Sequence, residues 1–145
     1  MAQNHVVTEA VVRRSIEDVW AIVGDADRFA EWNARFWFSG GPFVQGKQLR
    51  LVIAIAGPIK ARVPVEVTAF AEDHELRWDA TFLGFRGSHW IRLEKVSDTE
   101  TRILHGEDFT GLSRVWSRVE EGIRTEYQAV TDALAAYVER GASAS

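Results

Sequence analysis

A chain of 145 residues with 46% hydrophobic residues and a formal net charge of −4 fits one domain, large enough to bury a core without metal or disulfide staples. It contains no cysteine, which excludes a disulfide framework, a thiolate nucleophile and a Cys-ligated zinc or iron–sulfur site. The negative balance, with Lys and Arg scattered through expected strands, gives no electrostatic footprint for nucleic acid.

The first residues lack a basic segment followed by a long apolar run, and nowhere do about 18 apolar residues stand together. The expectation is a cytoplasmic protein with no membrane insertion. The β-branched run HVVTEAVVRR, residues 5–14, predicts a first strand. Ser15 stops it, and with Asp18 three residues on it forms a capping-box-like start for a short helix over 16–23, carried by Ile16, Val19, Trp20 and Val23. Gly24 ends that helix. Asp25 can cap a second short helix whose apolar side is Ala26, Phe29, Ala30 and Trp32.

Six strands follow. ARFWFSGGPF predicts the second, and KQLRLVIAIA the third, with Leu49, Leu51, Ile53 and Ile55 on one strongly buried face. ARVPVEVTAF is the fourth, where Pro64 demands an edge position or a bulge because it cannot donate to a ladder. ELRWDATF, the fifth, sets Leu76, Trp78, Ala80 and Phe82 on one face and forms a hairpin with the fourth. SHWIRLEKV is the sixth, and TRILHGEDF the seventh, with Thr101, Ile103, His105, Glu107 and Phe109 on one side.

Residues 113–140 form the longest element. Trp116, Val119, Ile123, Tyr127, Val130, Leu134 and Tyr137 recur at steps of three and four, the stripe of an amphipathic helix roughly 40 Å long. Gly122 interrupts it and allows a bend, extra space for a ligand or close packing against the sheet. The terminal GASAS, residues 141–145, is expected to fray as a flexible tail. One strand, two short helices, six further strands and a long helix define a single α+β domain over residues 1–145, with an antiparallel sheet wrapped round the helix.

The order of elements, with Ser15-x-x-x-Val19-Trp20, residues 25–32, Leu76-x-Trp78, Gly87-x-His89-x-Ile91-x-Leu93-Glu94 and Thr101-x-Ile103-x-His105-x-Glu107-x-Phe109-x-Gly111, resembles a known family over essentially the whole chain. It is similar to the helix-grip fold of the SRPBCC superfamily, also called START-like or Bet v 1-like, and within it to the bacterial polyketide cyclase/dehydrase-like branch. The resemblance implies a cavity between the concave sheet and the long helix. Members of the superfamily bind lipids, hormones or polyketides, and some cyclise or dehydrate them, so the fold alone fixes no activity. A curved sheet closing on one helix agrees with a cavity, and the heavy aromatic content either packs a core or lines such a pocket.

On the assigned faces the lining candidates are Trp37, Leu51 or Ile53, Val65, Trp78, Ala80, Phe82, Ile91, Trp116, Val119 and Ile123. The helix divides: Trp116, Val119 and Ile123 are expected at the cavity, and Tyr127, Val130, Leu134 and Tyr137 on the short helices. Among polar residues, His105 and Glu107 share the inward face of strand seven, and His89 lies across from Glu107 or a near neighbour. A buried carboxylate without partners is expensive, so Glu107 is expected to be paired with a histidine or protonated, and these three form a candidate His/Glu site. It reads as a structural network, as a polar anchor for a mostly apolar ligand, or as a general acid–base site in which Glu107 fixes a histidine tautomer. Two histidines and a carboxylate also imitate a facial metal triad, but nothing else in the sequence suggests iron chemistry, and no metal or cofactor is expected. Arg35, Asp79 and Arg86 read as solvated charges near a cavity rim. The expected partner is a small hydrophobic molecule: a lipid, an isoprenoid or an aromatic polyketide, either carried or, as an enzyme, cyclised or dehydrated.

Overall fold

A computed structural model describes residues 3–82 and 84–143. The elements are β1 (Gln3–Val12), α1 (Ile16–Val23), a 3-10 turn (Ala26–Arg28), α2 (Phe29–Trp32), β2 (Phe36–Ser39), β3 (Gln48–Ala56), β4 (Ile59–Ala71), β5 (Glu75–Phe82), β6 (Phe85–Ser97), β7 (Glu100–Thr110) and α3 (Trp116–Ser143). The strands form one antiparallel sheet in the order β1-β7-β6-β5-β4-β3-β2, so the first strand closes against the last. The sheet curves round α3, which is the helix-grip arrangement.

Ser15 caps α1 as its sequence predicts: its hydroxyl accepts from the Asp18 amide at 3.2 Å. The second short helix divides. Asp25 caps the 3-10 turn, accepting from the Asp27 amide at 3.0 Å, and a single α-turn follows before Asn33 ends it. Trp20, Val23, Phe29 and Trp32 point these short pieces into the core. Phe29 sits at its centre, with edge-on contacts to Phe38 at 4.9 Å, Phe43 at 5.7 Å and Trp78 at 6.2 Å, the geometry aromatic quadrupoles favour.

Pro64 lies in an inner strand, yet the stretch of β4 before Glu66 pairs only with β3. The missing N–H therefore falls on a locally free edge, which is how an imino acid is tolerated there. The expected buried face of β3 runs out before its end. Leu49 and Leu51 are buried, but Ile55 is 61% exposed, because the register shifts between Ala54 and Ala56 and the β3–β4 turn passes beyond the body of the sheet.

Gly111 turns the chain from β7 towards α3 with φ of +99°, a conformation that side chains disfavour, and a Cβ there would press on Phe85 at 3.2 Å. The helix starts and ends three residues later than the periodicity predicts, and continues through Ser143. Its C-terminal half is anchored by Val130, Leu134 and Val138 in the core. Tyr137 ties it to the short helices by donating to Glu31 at 2.7 Å and accepting from Arg28 at 3.1 Å. No helix among the described residues is long and apolar enough to cross a membrane.

Candidate functional site

A cavity of about 380 Å³ opens between the sheet and the middle of α3. Its walls are Arg35 just before β2 and Phe36 on it, Leu51, Ile53, Ala54 and Ile55 on β3, Ala61 and Val63 on β4, Trp78 and Ala80 on β5, Phe85, Gly87 and His89 on β6, Glu107 on β7, and Glu126, Tyr127 and Val130 on α3. Apart from Ala54, which directly follows Ile53, the alternation of the strands puts these apolar side chains on one face, and the curve of the sheet holds them apart.

Of the lining and site candidates named from the sequence, Leu51, Ile53, Trp78, Ala80, His89 and Glu107 stand in these walls, whereas His105 lies behind them and is not part of the lining. Val65 and Ile91 are buried in the core beneath them. Trp37 alternates to the opposite face from Phe36 and Phe38, where Lys60 lies 5.7 Å from its ring. Trp116 packs on Phe109 at 5.5 Å instead of entering the cavity, and Val119 and Ile123 are half-buried outside it. The side chain of Phe82 lies outside the described residues. The helix residues at the cavity are thus Glu126, Tyr127 and Val130, a turn beyond the expected segment.

The polar groups gather at the inner end. The β6–β7 register sets His89 directly opposite Glu107, and Ile91 opposite His105. Nδ1 of His89 lies 2.9 Å from Oε1 of Glu107, and its Nε2 lies 2.6 Å from Nε2 of His105. Tyr127 donates its phenolic hydrogen to the same Oε1 of Glu107. Behind them Nδ1 of His105 meets the hydroxyl of Thr131 at 3.0 Å. Thr131 in turn touches the Thr8 hydroxyl at 2.6 Å, and Thr8 donates to the His105 carbonyl at 2.8 Å. Stacking fixes the rings: His89 lies flat on Trp78 at 4.3 Å, and Tyr127 lies on His105 at 5.0 Å.

Burial lowers the pKa of His105 well below 6.5, and the neighbouring His89 lowers it further, so this imidazole is neutral at physiological pH. Burial and the Glu107 carboxylate push the Tyr127 phenol well above its usual 10, which keeps it a donor. One hydrogen must lie between the two Nε2 atoms, since facing lone pairs would repel. Since Oε1 of Glu107 accepts from Tyr127 and faces Nδ1 of His89, His89 must also carry hydrogen on Nδ1. Two arrangements satisfy both conditions. Either Thr131 turns its single hydroxyl hydrogen from the Tyr127 carbonyl to Nδ1 of His105, whose Nε2–H donates to a neutral His89, or a doubly protonated His89 donates to His105, whose Nδ1–H donates to Thr131 while Thr131 keeps its bond to the Tyr127 carbonyl. They differ by one proton and need no movement of heavy atoms.

Both ring nitrogens of each histidine are engaged by these contacts, and among the described residues no group of three metal-ligating side chains could hold an ion. The free polar atom is Oε2 of Glu107. No described hydrogen bond reaches it, and it lies over Gly87, where a Cβ would collide with it.

Sequence reasoning missed Tyr127, Thr131 and Thr8. Tyr127 belonged to the apolar stripe, and its hydroxyl was the signal that one member of that stripe had a polar partner to find. Thr131 is fully buried within a helix and Thr8 nearly so within β1, places where a hydroxyl needs a bond partner.

A seven-stranded antiparallel sheet gripping one long helix over a largely apolar cavity defines a helix-grip protein of the SRPBCC type. The sequence matches the family described as "Polyketide cyclase / dehydrase and lipid transport" over residues 3–139, and the chain belongs to that family. Among solved structures it is similar to the Zhui aromatase/cyclase from Streptomyces sp. R1128, with 15% identity, a TM-score of 0.75, and coverage of 97% of this chain and 96% of that one. Norcoclaurine synthase from Thalictrum flavum, in complex with dopamine and hydroxybenzaldehyde, is similar at 14% identity and a TM-score of 0.71, over 94% and 87% of the two chains. Protein CV1439 from Chromobacterium violaceum is similar at 17% identity and a TM-score of 0.75, over 94% and 98%. No curated protein sequence matches.

Proposed function

We propose that this protein binds a small, largely hydrophobic molecule in the cavity between sheet and α3, with one polar group of the ligand seated on Glu107. The observation that carries this reading is the free Oε2 of Glu107 at the inner end of a largely apolar space of about 380 Å³. That volume lies within the range typical of ligand pockets, ~300–1,000 Å³. The similar norcoclaurine synthase structure holds dopamine and hydroxybenzaldehyde, small aromatic molecules. The test is calorimetric titration with naphthalene-sized aromatic probes, on the wild type and on Ala80→Trp, which fills the cavity. Saturable binding that Ala80→Trp abolishes is the expected result. Equal binding to both proteins, or none to either, would overturn the reading.

A second reading, an enzyme of the cyclase or dehydratase type, is favoured by the order of bonds behind Glu107. A carboxylate held by Tyr127 and His89, with His105 and Thr131 fixing the histidine, is a positioned base whose Oε2 faces the space where a substrate would lie. Such a base would take a proton from carbon next to a carbonyl, or return one to a departing hydroxyl. With a substrate in hand, replacing His105 and Glu107 together by Gln should remove turnover. Undiminished turnover would take them out of the chemistry.

A further inference from the structure

Charge is divided unevenly round the cavity. Glu107 closes its inner end and Glu126 stands in its wall, whereas Arg35 is the sole Lys or Arg among the wall residues. Arg35 is already engaged by Glu126, 3.4 Å away. Nothing at the inner end has a hydrogen to offer a ligand. The Tyr127 O–H is spent on Glu107, Nδ1 of His89 faces the same carboxylate, and Nε2 of His89 faces His105. The one polar atom left over, Oε2 of Glu107, is an acceptor.

Resting on the ligand-binding reading above, we propose that the cavity selects molecules whose polar head is a hydrogen-bond donor, a hydroxyl or an ammonium, and excludes carboxylates such as fatty acids. A donor head gains a charge-assisted bond to Oε2. A carboxylate head seated at the inner end would meet a like charge where little water can screen it, with no donor beside it to compensate. Either proton arrangement of the histidines leaves Oε2 an acceptor. Gly87 completes the device, since any side chain at that position would cover this oxygen. The space also limits the body of the ligand. At ~30 Å³ per water it holds about a dozen waters' worth of atoms, so it suits a one- or two-ring molecule better than a long acyl chain.

The experiment is calorimetric titration at pH 7.5 with naphthalene, 2-naphthol, 2-naphthylmethylamine and 2-naphthoate, on the wild type, Glu107→Gln and Gly87→Ala, each checked for a cooperative unfolding transition. In the wild type, naphthol or the amine should bind about tenfold or more tighter than naphthoate. Whichever of the two leads identifies the neutral or the charged donor. Glu107→Gln, whose amide can donate, should bring the ratio towards unity. Gly87→Ala should weaken the donor preference while keeping the charge, and it serves where Glu107→Gln does not fold. Naphthoate binding as tightly as naphthol and the amine in the wild type, or a ratio unchanged in the variants, would overturn the selectivity. Naphthalene separates the two ideas: if it binds while the heads are not distinguished, only the selectivity fails, and if no probe binds, both fail.

Discussion

Tyr127, in the middle of α3, gives its phenolic hydrogen to Glu107 on β7, so the helix and the sheet are joined at the inner end of the cavity by a hydrogen bond to a charged group. The bond persists over the ordinary pH range because burial and Glu107 itself hold the phenol well above its usual pKa. Tyr127→Phe isolates it, since the ring keeps its stacking on His89 and His105, each 5.0 Å away. The expected loss is about 1.5–3 kcal/mol of stability, the range for bonds to charged partners. Urea unfolding of the two proteins measures it, and a difference below about 0.5 kcal/mol would mean that solvent replaces the phenol at no cost.

His105 gives the fold a pH dependence whose sign is fixed. Unfolded, the imidazole takes up a proton near 6.5, whereas folded it resists doing so because burial and His89 oppose the charge. Between the lowered folded value and 6.5 the unfolded chain therefore binds more protons. Stability rises with pH through that window, by up to ~1.4 kcal/mol per unit, and levels off above it. The carboxylates of the outer sheet face act lower. Burial pushes Glu75 and Asp79 up, but bonds from Arg92 and Arg77 to the first, and from Ser88, Arg86 and Thr68 to the second, more than reverse it. Their stabilisation is present above their ordinary values of 4.5 and 3.8 and fades only as pH falls through the lowered ones. His105→Asn should flatten the profile between pH 5 and 6.5 while lowering stability at pH 8. An unchanged slope in urea midpoints across that range would contradict the assignment.

The fold was open to a reader of the sequence because each element carried its own signal. Alternation in residues 75–82, the Ser15 cap and the stripe from Trp116 to Tyr137 all depend on near neighbours in the chain. The pairing of His89 with Glu107 was also within reach, since a short turn between β6 and β7 leaves few registers. What periodicity does not encode is how far a helix slides along a sheet. A shift of one turn exchanges Ile123 for Tyr127 at the cavity while leaving the stripe intact, so the sequence could not say which member would meet Glu107. Trp37 failed for a related reason: in a run as short as FWFS, both faces are aromatic enough to point inward.

Gly87 is the position at which space is reserved for the Glu107 carboxylate. A Cβ there would collide with Oε2 and approach Cδ at 3.1 Å. The tip of a glutamate usually swings aside at little cost, but this one is pinned at Oε1 by Tyr127 and His89. Gly87→Ala must therefore displace the carboxylate from one or both partners or shift β6. The expected cost is ~1–3 kcal/mol, as for other overpacked sites. Combined with Tyr127→Phe, the loss should be less than the sum of the two single losses, because each variant frees the same carboxylate. Strict additivity in a double-mutant cycle would show that Glu107 accommodates the methyl without releasing Tyr127.

Thr131 is the far end of the polar chain, and its hydroxyl serves three neighbours: Nδ1 of His105 at 3.0 Å, the Thr8 hydroxyl at 2.6 Å and the Tyr127 carbonyl at 2.9 Å. Thr131→Val keeps the shape and removes the hydroxyl, stranding Nδ1 of His105 in a site closed to water. The loss expected for an unpaired buried group is ~1–3 kcal/mol, and Thr131→Ser should recover most of it. The imidazole responds too. A bare nitrogen lone pair is tolerated in an apolar site more readily than a bare N–H, so the variant should hold His105 with its hydrogen on Nε2, aimed at His89. The arrangement in which Nδ1 donates to Thr131 would then be lost, and with it the site's capacity to hold the additional proton without rearrangement. Nitrogen-15 chemical shifts of the His105 ring across pH 5–8 report this directly. A mixed tautomer signal in Thr131→Val, indistinguishable from that of the wild type, would mean that Thr131 does not govern where the proton sits.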